Sequence, residues 1–174
     1  MSILFYILTI LIANVVTSAF HPFHLLWFLI PYGTLLIGLT LLSRNYVQVR
    51  YGRKAVYITI IIALILSAIA SHLLGDTIAV TIASAISFAI SETSDTEVFT
   101  RLRKSMYIRV LSGGTVGGIL DSIIFVVIGL SPIGAGFVPW PAIPMAIAGQ
   151  LLVKVIMQAI GGIVVAKTIR VATV

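Results

Sequence analysis

The chain has 174 residues, of which 60% are hydrophobic and only 9% charged, with a formal net charge of +6 and a mean hydropathy of +1.18. Soluble domains carry about 25% charged residues, so a chain this short and this poor in charge cannot cover a water-facing surface, and its outer face must meet lipid. Cysteine is absent, which excludes a disulfide framework, a thiolate metal site and a cysteine nucleophile.

A bilayer core about 30 Å thick takes roughly 20 apolar residues of helix. Apolar stretches predict spans near residues 2–20, 25–43, 54–73, 77–97, 106–129 and 142–168. The expected fold is an all-α integral membrane protein, six transmembrane helices in one domain over residues 1–174. The first stretch makes a poor signal peptide, because it lacks a basic leading region and further spans follow it. The connections are short, and the longest, 131–141, is rich in Gly and Pro.

Basic residues set the expected orientation. Arg44, Arg50, Arg53 and Lys54 lie between spans 2 and 3; Arg101, Arg103, Lys104 and Arg109 lie between or beside spans 4 and 5; Lys167 and Arg170 follow span 6. The other connections hold His21, His24, Asp76 and the Gly/Pro segment, without Lys or Arg. The positive-inside rule then places both termini in the cytoplasm, in a multi-pass protein of the cytoplasmic membrane. Topology accounts for the basic charge, so the expected surroundings are the lipid bilayer and not nucleic acid.

Taken in chain order, the polar residues within the spans suggest an internal cavity. Span 1 carries Asn14, Thr17, Ser18 and His21 on one face. A lone Asn usually bonds a neighbouring helix, whereas four polar residues together resemble a cavity wall. In span 3, Thr59, Ser67 and Ser71 are expected to bond back to their own helix. Span 4 closes with Glu92 and Asp95 on one face with Phe88 and Phe99. Glu97 should pair with Arg101 at i,i+4. Asp95 has Arg103, Lys104 or a loop arginine as candidate partners, and Glu92 has no obvious local one.

Span 5 sets Gly113, Gly117, Asp121 and Phe125 on one face and Gly114, Gly118 and Ser122 on the next. Such spacing usually means close helix packing; it also leaves room for a ligand beside Asp121 and Phe125. In span 6, Gln150, Lys154 and Gln158 recur every four residues as a polar stripe. At 1.5 Å per residue, Asp121 lies very roughly 12 Å and Lys154 very roughly 17 Å below the outer surface. Each charge costs about 2.5–3.5 kcal/mol at a helix centre. They are close enough in depth to form a structural ion pair or to share a binding site. An apolar pair would pack at lower cost, which favours the site. His21, His24 and His72 read as interfacial residues, not metal ligands. No soluble-enzyme motif appears and no cofactor is expected. An enzyme acting on lipid would need a clustered nucleophile and base, or a metal site, and neither is evident.

The run Glu92-Thr93-Ser94-Asp95-Thr96-Glu97-Val98-Phe99-Thr100-Arg101-Leu102-Arg103 resembles the end of helix 4 in the queuosine precursor transporters, also called the vitamin uptake transporter family. Asp121-Ser122-Ile123-Ile124-Phe125 resembles that family's helix 5 element, Lys154 its helix 6 lysine, and Tyr51-Gly52-Arg53-Lys54-Ala55 the entry to its helix 3. Asn14 and Pro31 match an Asn in helix 1 and a Pro in helix 2. Two positions depart: Asn45 stands where many members have Asp, and Gly118 where an Asn or Gln often precedes the helix 5 acid. The chain is also shorter than many members.

The resemblance implies a transporter, not an enzyme, importing a 7-deazaguanine such as the 7-cyano or 7-aminomethyl precursor of queuosine. Implied substrate-binding residues are Asn14, Glu92, Asp121, Ser122, Phe125, Gln150 and Lys154. A carboxylate, Glu92 or Asp121, can accept the two adjacent N–H groups of a guanine-like edge. Gln150 or Asn14 can read the carbonyl or a ring nitrogen, Phe125 can stack, and Lys154 can hold a carboxylate or contact the substrate. Glu92, Asp95, Asp121 and Lys154 are candidates for ion pairing or for carrying a proton. The alternative is the substrate-binding subunit of an energy-coupling-factor vitamin transporter, whose partner would be an ATPase module; a homo-oligomer is a further possibility.

Overall fold

A computed structural model describes residues 2–20, 23–25, 28–30, 32–75 and 78–172. Five α-helices dominate: α1 (Ser2–Ala19), α2 (Ile37–Leu73), α3 (Ile78–Arg101), α4 (Met106–Ile124) and α5 (Ile143–Ala172). Among the described residues, three stretches are long and apolar enough to cross a membrane: Ser43–Leu73, Met106–Leu130 and Trp140–Lys167. At 1.5 Å per residue, the 24-residue α3 also reaches about 36 Å. Helix α3 packs against α4, α4 against α5, and α1 against α2.

The second expected span, 25–43, is not one helix. It opens as an antiparallel hairpin, β1 (Phe23–Leu25) with β2 (Phe28–Ile30), in the register Phe23↔Ile30, His24↔Leu29 and Leu25↔Phe28. A 3-10 helix, Tyr32–Leu36, then leads into α2. Pro22 and Pro31 bracket the hairpin in the sequence, and the residue before a proline is pushed toward extended backbone. The hairpin packs on α5 at Gly149, where a Cβ would come within 2.6 Å of the Phe28 Cβ.

The expected loop between spans 2 and 3 shrinks to one residue. Helix α2 runs through 44–51 and breaks at Gly52, which has φ +80° and ψ 175°. Only glycine adopts that backbone without strain. The break lets Val47 before it and Val56 after it share one buried cluster with Tyr6, Ile10, Ile60 and Ala63. In a straight helix the two valines would stand about 13 Å apart along the axis.

Helix α4 ends in a π-helical turn, Phe125–Leu130, with the Ser131 N–H donating to the Val126 carbonyl at 3.0 Å. The Gly/Pro connection folds back on it through Val138 N–H to Leu130 O, 2.8 Å, and Ala135 N–H to Gly129 O, 2.9 Å.

The surface pattern is inverted relative to a soluble protein. On α3, Ile78, Ile82, Ile86 and Ile90 face outward at every fourth residue, while Ser87, Ser91 and Asp95 are buried. On α5, Leu152, Ile156 and Ile160 face outward, while Gln150, Lys154 and Gln158 are buried. Apolar outside and polar inside is the arrangement a lipid environment selects. Two apolar clusters close the ends of the polar interior. One joins Val126, Leu130, Val138, Ile143 and Ala146; the other joins Phe99, Val110 and Val165.

Candidate functional site

Between those clusters lies a cavity of about 170 Å³. Helix α4 shows the order: Val110 in one cluster, then Gly114, Gly117, Gly118, Asp121 and Phe125 on the cavity, then Val126 in the other. Helix α5 repeats it with Ala146, then Gln150, Lys154 and Gln158, then Val165. Helix α3 contributes Ser84, Ser87, Phe88, Ser91, Glu92 and Asp95, and the 3-10 helix adds Gly33 and Thr34. Sites for drug-sized ligands run roughly 300–1,000 Å³, so this cavity lies below that range.

The serines of α3 leave space without presenting unmet polarity. Ser87 Oγ donates to Ser84 O and Ser91 Oγ to Phe88 O, both at 3.1 Å. The glycines of α4 serve mainly as close-packing surfaces. A Cβ at Gly117 would lie 2.8 Å from the Ser91 carbonyl oxygen, and one at Gly113 would collide with Asp95 Oδ1. Gly114, Gly117 and Gly118 also border the cavity.

Lys154 and Asp121, expected to meet from their depths, do meet: Lys154 Nζ lies 2.5 Å from Asp121 Oδ2. It also donates to Ser122 Oγ at 2.8 Å and Gln150 Oε1 at 3.2 Å. An ammonium has three N–H donors, and all three are engaged. Of the expected binding residues, Glu92, Asp121, Phe125, Gln150 and Lys154 reach the cavity wall, as does Asp95. Ser122 is fully buried and is brought to Lys154, not to the wall. The side chains of Asn14, Thr17, Ser18, His24 and Arg170, and all of His21, Pro22, Pro31 and Asp76, lie outside the described residues.

A second charged centre was not anticipated. Arg44, placed by the sequence in a cytoplasmic loop, is a helical residue only 1% exposed. Its Nη2 lies 2.5 Å from Asp95 Oδ2 and its Nε 3.5 Å from Glu92 Oε2. It therefore fills the open place for a loop arginine beside Asp95 and gives Glu92 a partner from another helix. The Tyr6 hydroxyl donates to Glu92 Oε2 at 2.9 Å, tying α1 to the same centre. Arg44 Nη1 donates to Thr96 Oγ1 at 3.4 Å and Nη2 to Asn45 Oδ1 at 3.3 Å. The polar spacing Arg44, Asn45, Gln48 on one helical face was the available signal. Tyr6, in an apolar run, offered none.

Glu97 stands apart from the cavity. It pairs with Arg101 at 3.0 Å, as expected, and with Arg53 at 3.1 Å, and accepts from the Tyr57 hydroxyl. Thr59 Oγ1 donates to Ala55 O at 2.7 Å, the back-bonding expected in span 3.

Helices apolar on their outer side that enclose a polar, charge-lined cavity are the pattern of a multi-pass membrane protein. The family described as "Putative vitamin uptake transporter" matches residues 70–167, more than half of the chain, and the chain belongs to it. That stretch contains α3, α4 and most of α5, hence Asp121, Lys154, Glu92 and Asp95, but neither Tyr6 nor Arg44. No curated protein and no solved structure matches the chain.

Proposed function

We propose that this chain carries a 7-deazaguanine precursor of queuosine through the cavity into the cytoplasm. The observation that carries the reading is the pairing of a carboxylate with an aromatic ring on two neighbouring helices: Glu92 with Phe88 on α3, and Asp121 with Phe125 on α4. A carboxylate accepts the two adjacent N–H groups of a guanine-like edge in bidentate fashion, and a ring offers a flat base a stacking surface. Cavity size supports a single base, and membership of a vitamin-uptake family supports a transport role.

In this reading the chain crosses the cytoplasmic membrane six times, with Gly52 as the reversal between the second and third crossings and both termini in the cytoplasm. Arg53 and Arg101, 50% and 78% exposed and both paired with Glu97, would mark the cytoplasmic side. The absence of cysteine makes this simple to check: a cysteine at position 103 should react with membrane-impermeant reagents only from the cytoplasmic side, and one at 133 only from outside. By formal charge, Glu92, Asp95 and Asp121 outnumber Arg44 and Lys154 by one. That excess suits a solute cation or an accompanying proton.

The test is calorimetric titration of the purified protein with the 7-cyano and 7-aminomethyl deazaguanines, guanine and a panel of vitamins. Deazaguanines are expected to bind, and failure of all of them ends the substrate assignment. Asp121→Asn and Glu92→Gln should each weaken binding by about tenfold or more, or roughly 1.4 kcal/mol, while Glu97→Gln binds as the parent does. Equal losses in all three would point to folding in place of recognition. Uptake by liposomes holding this chain alone supports a self-sufficient carrier; uptake only with a co-purifying ATPase module would make it a substrate-binding subunit.

A further inference from the structure

Two amides on the polar face of α5 are each held by one end, and in opposite senses. Gln150 faces the Lys154 ammonium at 3.2 Å. An ammonium only donates, so the atom it meets must be the amide oxygen, and the NH₂ group is turned away. Gln158 faces the Gly114 carbonyl. A carbonyl only accepts, so Gln158 gives it the NH₂ group and keeps its oxygen free. Both residues border the cavity, are 2% and 4% exposed, and retain one buried amide atom without a hydrogen-bond partner among the described residues: Nε2 of Gln150 and Oε1 of Gln158. A buried amide end left unpaired is destabilising, so each calls for a partner of one defined polarity.

The sense of Gln150 is locked more firmly than one contact would manage. Lys154 is itself fixed by Asp121 and Ser122 from α4, so its third N–H has one direction left, toward Gln150. Rotating the amide would set its NH₂ against an ammonium with no acceptor capacity. The chain Asp121–Lys154–Gln150 thus converts a flippable amide into a fixed hydrogen-bond donor. Lys154, with all three donors engaged inside the protein, has none for the solute.

We propose that Gln150 is the specificity-determining residue that reads a carbonyl oxygen on the transported solute, and that Lys154 is its positioning residue. The inference rests on the transport role of this cavity and adds which atom does the reading: a solute is selected for an acceptor opposite Gln150 Nε2. Gln158, fixed the other way, takes a solute N–H and has no part in recognising the carbonyl.

The test compares binding of oxo and thio members of matched pairs: 7-cyano-7-deazaguanine with its 6-thio counterpart, and guanine with 6-thioguanine. Sulfur keeps the ring N–H donors but accepts hydrogen bonds weakly, so the pair isolates the carbonyl. The parent protein should prefer the oxo form by about tenfold, the scale of one buried hydrogen bond. In Gln150→Met that preference should fall to within about twofold. In Lys154→Met it should fall as well although Gln150 is intact, because the amide is free to rotate, and Lys154→Arg should restore part of it. Gln158→Met should weaken both members alike and leave the ratio near tenfold. A ratio unchanged in Gln150→Met overturns the inference even if deazaguanines bind. Binding of the guanine pair alone, with the ratio lost in Gln150→Met, sustains it while removing the queuosine assignment. If neither pair binds, both readings fall together.

Discussion

Lys154 and Arg44 are both buried cations, 2% and 1% exposed, facing carboxylates on the wall of one cavity, yet they are held very differently. Lys154 joins two helices adjacent in the chain, and its three donors meet three acceptors. Arg44 joins three elements, α1 through Tyr6 and Glu92, α2 through itself, and α3 through Glu92 and Asp95. Its closure is uneven: one carboxylate lies at 2.5 Å, the other at 3.5 Å, and Asp95 Oδ1 has no hydrogen-bond partner among the described residues. A cation whose donors are all met is held in one geometry. The Arg44 centre instead ties α1 and α2 to α3, a junction at which the proposed carrier would move. Under the proposed function, the difference gives fixed recognition to one side of the cavity and cohesion across the molecule to the other.

The largest effect should come from breaking the Arg44 centre. Arg44→Leu leaves two acids in a low-dielectric interior with no cation, and breaking a buried pair from one side costs about 3–5 kcal/mol. The expected outcome is a steep fall in apparent melting temperature in detergent, or loss of monodisperse protein. Adding Glu92→Gln and Asp95→Asn to the same chain should recover most of the stability but not the binding. If Arg44→Leu melts like the parent, the guanidinium is in water and the comparison fails.

Lys154→Met should be milder, roughly 2 kcal/mol, because the Asp121 side chain it strands is 28% exposed and can take solvent from the cavity. Thermal melting of Lys154→Met beside Arg44→Leu checks the order directly. A double variant with Asp121→Asn should melt close to the parent. Reversal of the order would make the α4–α5 pair the structural keystone and Arg44 the more exchangeable group.

Much of this was readable beforehand, and the exceptions have physical causes. Depth along two consecutive spans was enough to bring Asp121 to Lys154, since neighbours joined by a short connection must run antiparallel. The i,i+4 rule was enough for Glu97 and Arg101. Hydropathy failed at residues 23–30, where a short apolar run fits a buried strand as well as a helix; the flanking prolines were the better signal. It failed again at Arg44. A charge beside a basic cluster reads as a loop residue, and only the lack of Gly or Pro between 44 and 51 indicated that the helix continues to Gly52. The partners of Arg44 lie on α3, about 50 residues away in sequence, and no local pattern reports a contact at that distance.

The smallest effect belongs to the charged cluster outside the cavity, and it makes the comparison between the two interior centres interpretable. Glu97 pairs with Arg53 and Arg101 and accepts from Tyr57, more ionic contacts than Asp121 makes, so a count of bridges would rank it above the Lys154 pair and level with Arg44. Its two arginine partners are half or more exposed, where water and salt screen the attraction and ordering long side chains offsets it. Glu97→Gln should leave the apparent melting temperature within experimental scatter at 150 mM salt, a concentration at which the screening length is about 8 Å. Any loss should appear only on lowering the salt, whereas the deficits of Arg44→Leu and Lys154→Met should persist across the same series. A Glu97→Gln deficit as deep as theirs and equally indifferent to salt would mean that burial does not separate these charges, and that the distinction between a recognising wall and a cohesive centre has been drawn in the wrong place.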